Sequence, residues 1–177
     1  MAISYDLVLE DHILSRQGVK RRQRSFALEF AEMVRYAVGY QSRAFVTFGE
    51  PISVEDWNPH SRRDVMGLAK LVRKRIGNLY KILPTALVAA SIKPSITRDE
   101  LIDRIDNTLE TLNNLGANIG VQSGRDALDL ATKTLVARGI IVKDQGRFRI
   151  RERKVLRYYA RSIKHLLDSP SVEDRPN

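Results

Sequence analysis

Between Thr97 and Ile150 the sequence spells two capped helices followed directly by a hairpin, and that order leaves few folds open. Thr97 stands three residues before Glu100, the spacing of a capping box, in which each side chain accepts from the other residue's backbone N–H. Behind it Leu101, Ile105, Leu109 and Leu112 recur at three- and four-residue steps, predicting a helix over 97–115 with one apolar stripe. Gly116 supplies the stop. The design repeats over 123–138, with Ser123 at the cap, Leu128, Ala131 and Leu135 on the face, and Gly139 at the end. Ile140 to Val142 and Arg147 to Ile150 then flank Asp144-Gln145-Gly146, a hairpin turn sequence. A last helix, 152–167, directs Val155, Leu156, Tyr159, Ile163, Leu166 and Leu167 to the core.

Helix, helix, hairpin, helix resembles the order of a winged-helix module. Upstream the pattern is more mixed. Apolar Leu7, Val8, Ile13 and Leu14 fit a short helix over 5–16 closed by Gly18. Phe26, Phe30, Met33, Val34 and Ala37 form one face of a second helix over 25–40. Arg43 to Phe48 is rich in β-branched and aromatic residues and reads as a strand ended by Gly49 and Pro51. Its backbone groups need a partner, either elsewhere in this chain or in strands that precede it. Residues 58–63 read as a polar linker around Pro59. A long helix over 63–83 then stops at Pro84, and the apolar stretch 85–92 reads as a buried helix. The expected organisation is 1–57, 58–168 and a loose polar tail at 169–177.

At 177 residues and 43% hydrophobic, the chain can bury a real core. It has no cysteines, which excludes disulfides, thiolate metal sites and a cysteine nucleophile. The longest apolar run, Ala86 to Ile92, is far short of the ~20 residues that span a bilayer. The first ten residues carry acids where a signal peptide carries bases. The expectation is a cytoplasmic chain, or one peripheral on the inner face of the cell membrane. A net charge of +9 favours an anionic partner: nucleic acid, phospholipid headgroups or a phosphate-bearing substrate.

Candidate chemistry is sparse. His60 precedes Asp64 by four residues and His165 precedes Asp168 by three, but the first pair lies in a polar linker and the second near a helix end. These two and His12 therefore read as surface or packing histidines rather than catalytic ones. No spacing suggests a metal site, and no glycine-rich phosphate loop is present. The acids Asp99, Glu100, Asp103 and Asp106 suit the positive end of a helix dipole. Lys20, Arg21, Arg22 and Arg24 fit either a substrate or anionic-lipid site or a solvated helix start. Seven Lys or Arg residues against one acid, Asp64, between Arg62 and Lys81 lean further towards an anionic surface.

Six segments in order resemble the bacterial glycerol-3-phosphate acyltransferases. Ile3-Ser4-Tyr5-Asp6 looks like the end of the family's fourth conserved block, and Lys20 to Ser25 like the charged segment after it. Val46-Thr47-Phe48-Gly49-Glu50-Pro51-Ile52 resembles its aromatic-Gly-Glu-Pro strand and turn. Pro84-Thr85-Ala86-Leu87 resembles its Thr-Ala-Leu helix, and Thr97-Arg98-Asp99-Glu100-Leu101 its Leu-Thr-x-x-Glu-Leu segment. Leu156, Tyr158, Tyr159, Ile163 and His165 follow its terminal Tyr-Tyr-Arg-Asn-x-Ile-x-His signature, with Ala160 and Arg161 departing from it.

The resemblance implies transfer of an acyl group from acyl-CoA or acyl carrier protein to glycerol 3-phosphate, with no cofactor. The family's catalytic histidine, with an aspartate five residues later, belongs to an earlier block, as do the blocks that hold phosphate. No histidine here has that aspartate. The resemblance therefore implies a carboxy-terminal part, inactive by itself, whose partner is the amino-terminal acyltransferase portion. The implied fold is mainly α with a small β component: the remnant of an α/β acyltransferase domain and a winged-helix-like helical region. A winged-helix nucleic-acid-binding protein is the alternative. Its reading helix would be 123–138, where Arg125, Lys133 and Arg138 face Asp126 and Asp129 in a balance that argues against nucleic acid.

Overall fold

The computed structural model describes residues 1–5 and 43–168. The helices expected at 5–16 and 25–40 and the tail at 169–177 lie outside the described residues. Tyr5 alone is described, and it ends a strand instead of starting a helix. The described elements are β1 (Ala2–Tyr5), β2 (Ala44–Thr47), α1 (Arg62–Leu79), α2 (Pro84–Ser91), β3 (Ser95–Thr97), α3 (Arg98–Asn114), α4 (Gly124–Ala137), β4 (Ile141–Asp144), β5 (Arg147–Ile150) and α5 (Arg153–Leu167). Helix dominates, with two small antiparallel sheets.

The core forms around α2. This helix is apolar on all sides, which suits only a position with neighbours all round. It packs against α3, α4 and α5. Leu87 and Val88 are fully buried. Pro84 begins α2 at its first turn, where a missing N–H costs nothing. The two polar side chains that α2 buries are Thr85 and Ser91. The Ser91 hydroxyl lies 3.2 Å from the Thr108 hydroxyl on α3, and Arg104 Nε donates to the Ser91 carbonyl at 2.6 Å. The end of α2 is thus satisfied by side chains of α3.

The helix expected to reach Leu83 stops at Leu79. Leu83 precedes a proline and is held extended, as the proline ring requires. Ile82 is fully buried, its N–H donates to the Asn118 carbonyl at 2.8 Å, and it bridges in parallel to Ile119. Residues 80–83 therefore form an extended connector rather than a last helical turn.

The two grammatical helices and the hairpin form as their signals specify. Thr97 and Glu100 close a full capping box on α3, and Ser123 caps α4 by accepting from the Asp126 N–H. Leu101, Ile105, Leu109, Leu112, Leu128, Ala131 and Leu135 are all buried. At the hairpin tip Gln145 and Gly146 both have positive φ, 47° and 76°, the pattern of a two-residue turn that matches strand twist.

Sequence reading missed β3. It spans three residues, too few for periodicity, yet it is the edge partner of β5, with Ile96 opposite Phe148. The sheet order is β3-β5-β4. Ile96, Ile141 and Phe148 face inward and are buried. In α5, Val155, Leu156, Tyr159, Ile163 and Leu166 are buried as expected, but Leu167 is 36% exposed. It follows Leu166 directly, and adjacent helical positions point in different directions.

The strand at 44–47 has a partner within this chain. β1 pairs with it antiparallel, with Ile3 opposite Val46. Of the two expected sources of a partner, this chain supplies one: Ile3-Ser4-Tyr5 is too short and mixed to read as a strand alone, and Tyr5 stood at the start of an expected helix.

Two outcomes test this packing. The Thr97 backbone N–H and hydroxyl donate to Glu100 Oε2 at 3.0 and 2.8 Å and hold its carboxyl below the usual range. A carboxyl depressed in the folded state stabilises fully above its unfolded pKa, and that contribution is lost as pH falls through the folded value. Glu100→Gln keeps an acceptor without a charge, so in urea melts its stability should approach wild type as pH drops below about 4. An unchanged difference at all pH values would contradict this. Gly124 lies so close to α3 that a Cβ there would sit 2.6 Å from the Ile102 carbonyl oxygen. Gly124→Ala should therefore cost about 2 kcal/mol in the same melts.

Candidate binding surface

Of the groups that could do chemistry, His165, Glu100 and Asp106 are used structurally. His60 is exposed in the loop before α1, and its backbone N–H donates to Asn58 Oδ1 at 2.9 Å. His165 Nε2 lies 3.3 Å from the Gly77 carbonyl, joining α5 to α1. Glu100 belongs to the cap, and the Asp106 carboxylate accepts from the Gly124 N–H. No group of three or more metal-ligating side chains occurs among the described residues. His12 and the basic cluster Lys20, Arg21, Arg22 and Arg24 lie outside the described residues. No described helix is long and apolar enough to cross a membrane.

On the face that would read nucleic acid, several charges are paired. On α4, Asp129 is bonded by Arg98 Nη2 at 2.6 Å. On the hairpin, Arg149 pairs with Asp144 at 3.1 Å. Arg147 donates to Ser95 Oγ at 3.0 Å and lies 4.0 Å from Glu100. Leu130 and Val136, both exposed, interrupt the outer face of α4.

Helix α1 differs from every other described helix in burying no residue at all. Leu68, Leu71 and Val72 are half-buried on its inner side. Its outer side carries two adjacent rows at three- and four-residue steps. One row is Arg62, Met66, Ala69, Arg73 and Ile76, with Val65 beside it; the other is Arg63, Gly67, Lys70 and Lys74. Val65, Met66 and Ile76 are 47%, 53% and 42% exposed. Trp57 lies against Gly67, whose added Cβ would stand 2.9 Å from the indole ring, so glycine admits the ring to the helix surface. Trp57, Arg62, Arg63, Met66, Gly67 and Lys70 line an open groove there. Asp64 is the acid in that groove, half-buried, with its backbone N–H capped by Ser61. The charge excess was legible in sequence. The lack of burial was not, because the spacing of Leu68, Leu71 and Val72 is also that of an ordinary core stripe.

The β1–β2 sheet has two unlike faces. Ala2, Ser4, Phe45 and Thr47 turn towards the helical region. There the Lys81 backbone N–H donates to Ser4 Oγ at 3.0 Å, and Lys81 Nζ sits 4.3 Å over the Phe45 ring. The Tyr80 phenol also meets Ser4, and burial pushes its pKa up. Asn118 Nδ2 donates to the Leu79 carbonyl at 3.1 Å and to Thr47 Oγ1 at 3.3 Å, tying α1, β2 and the 80–83 connector together. The opposite face carries Ile3, Tyr5, Ala44 and Val46, all exposed, and Phe48 just beyond is 77% exposed.

No family model matches this chain, and no curated protein or solved structure is significantly similar to it.

Asn118→Ala removes both side-chain bonds while leaving the core helices untouched. Hydrogen exchange should quicken at β1 and β2, by about tenfold for bonds of ordinary strength, with α2 and α5 unchanged. Uniform change across the chain would contradict the local role.

Proposed function

We propose that this chain is the carboxy-terminal portion of a glycerol-3-phosphate 1-O-acyltransferase, without acyl transfer of its own. Its substrates in the whole enzyme are acyl-CoA or acyl carrier protein and glycerol 3-phosphate. The observation that carries the reading is the β1–β2 sheet. Two segments that resemble family motifs, Ile3 to Tyr5 and Val46 to Thr47, lie side by side in register. The pair exposes one face of Ile3, Tyr5, Ala44 and Val46, with no charged side chain. Two short strands are marginal alone in water, whereas the edge of a larger sheet covers such a face with further elements. An amino-terminal acyltransferase portion would supply them, together with the catalytic histidine and aspartate. The buried places of Thr85, Ala86 and Leu87 in α2, of Leu101 in α3 and of Tyr159 and Ile163 in α5 give the other motif segments structural rather than chemical roles.

A second reading has a specific observation in its favour. The succession α2, β3, α3, α4, β4, β5, with sheet order β3-β5-β4, resembles that of a winged helix. That supports a winged-helix module as the fold of 84–150. It supports nucleic-acid binding less, because α4 carries Asp126 and Asp129 among its cations and the hairpin pairs Arg149 with Asp144. Such a module without a basic reading helix suits docking to protein.

Purified chain given glycerol 3-phosphate and labelled acyl-CoA should form no lysophosphatidate. Protein extended in frame with the preceding codons should form it. Turnover by the chain alone would overturn the incomplete site. An extension encoding no histidine with an aspartate five residues later would overturn the family. Tight binding of duplex DNA, lost steeply on adding salt, would favour the second reading.

A further inference from the structure

We infer that the outer face of α1, with the Trp57 groove, docks on an anionic lipid surface. The inference stands on α1 itself and holds whether or not the acyltransferase reading does.

A helix of 18 residues that buries nothing has no core reason to keep apolar side chains. Yet Val65, Met66, Ala69 and Ile76 lie on its outer side, exposed and within one or two turns of one another. Beside and between them stand Arg62, Arg63, Lys70, Arg73 and Lys74, all exposed. None of these five makes an ion pair among the described residues. The two rows contain no acid; Asp64 lies off them, half-buried, and is the one acid lining the groove.

Apolar side chains at the level of the cations suit the acyl–headgroup boundary of a membrane. There the apolar groups enter the acyl region, and Lys and Arg stems let the charges rise to phosphate. Trp57 adds the side chain that most favours that interface. Nucleic acid uses the cations but gives Val65, Met66 and Ile76 nothing to bury against, since phosphate contacts are polar. The helix is far too polar to span a bilayer, so docking is parallel to the surface.

Trp57 is the only tryptophan in the chain, so its fluorescence reports this site without any label. The full chain should co-sediment with vesicles of phosphatidylcholine and phosphatidylglycerol, and not with phosphatidylcholine alone. Trp57 emission should shift to the blue and be quenched by brominated acyl chains. Lys70→Gln with Lys74→Gln should weaken partition by about 20-fold, from roughly fivefold per cation near an anionic surface. Met66→Ser with Ile76→Ser keeps every charge and should also weaken binding and reduce quenching. Unchanged circular dichroism and melting of both variants would show that the fold is intact; a variant that fails it is replaced by Val65→Ser or Arg73→Gln.

Three results would overturn the inference. One is no binding to the anionic vesicles. Another is binding that neither variant weakens and that leaves Trp57 unquenched, which would place the contact elsewhere. The third is duplex or single-stranded DNA bound more tightly than vesicles, with Met66→Ser and Ile76→Ser having no effect.

Discussion

Burial of α2 on all sides is the constraint on which the helical region depends. An eight-residue helix is too short to hold itself together in water, so α2 exists because α3, α4 and α5 enclose it. In return it gives those three helices a shared apolar surface that none of them could offer another alone. The polar atoms drawn in with it are met by α3 through Thr108 and Arg104. Replacing Leu87 or Val88 would therefore disturb the packing of several helices at once.

Local grammar was readable wherever one residue type has one physical job. Thr97 and Glu100 can satisfy two backbone donors only at a helix start. Gly116, Gly139 and Gly146 take positive φ, which leaves little doubt about the stops and the turn. What could not be read was pairing at a distance. β3 is too short to show a period, and β1 precedes its partner by a stretch that carries no pairing signal. The end of α1 was misplaced for a related reason. Residues 80–83 have good helix formers, but Ile82 is extended by a bridge to Ile119, a tertiary contact that overrides propensity.

The surface was legible in part. Counting charges singled out Arg62 to Lys81, and that stretch did become the helix with no buried residue. Which of its apolar residues face outward depends on where α5 and β1 touch it, and sequence alone gave no contact to set that rotation. Arg98 of α3 and the hairpin arginines show the reverse case. They look available in sequence, whereas Arg98 reaches Asp129 and Arg147 reaches Ser95, both far along the chain, and Arg149 pairs with Asp144 across the hairpin.

The anchorage of β1 sets an order of events during synthesis. Ser4 accepts from Lys81, 77 residues later, and Thr47 is held by Asn118, 71 residues later. A chain emerging amino terminus first exposes β1 and its apolar face long before either anchor has been made. The helical region, whose contacts are closer in sequence, can condense as soon as α5 is complete. The residues of β1 thus leave the ribosome well before their anchors and are among the last to be fixed, and in that interval their apolar face is open to aggregation and to chaperones.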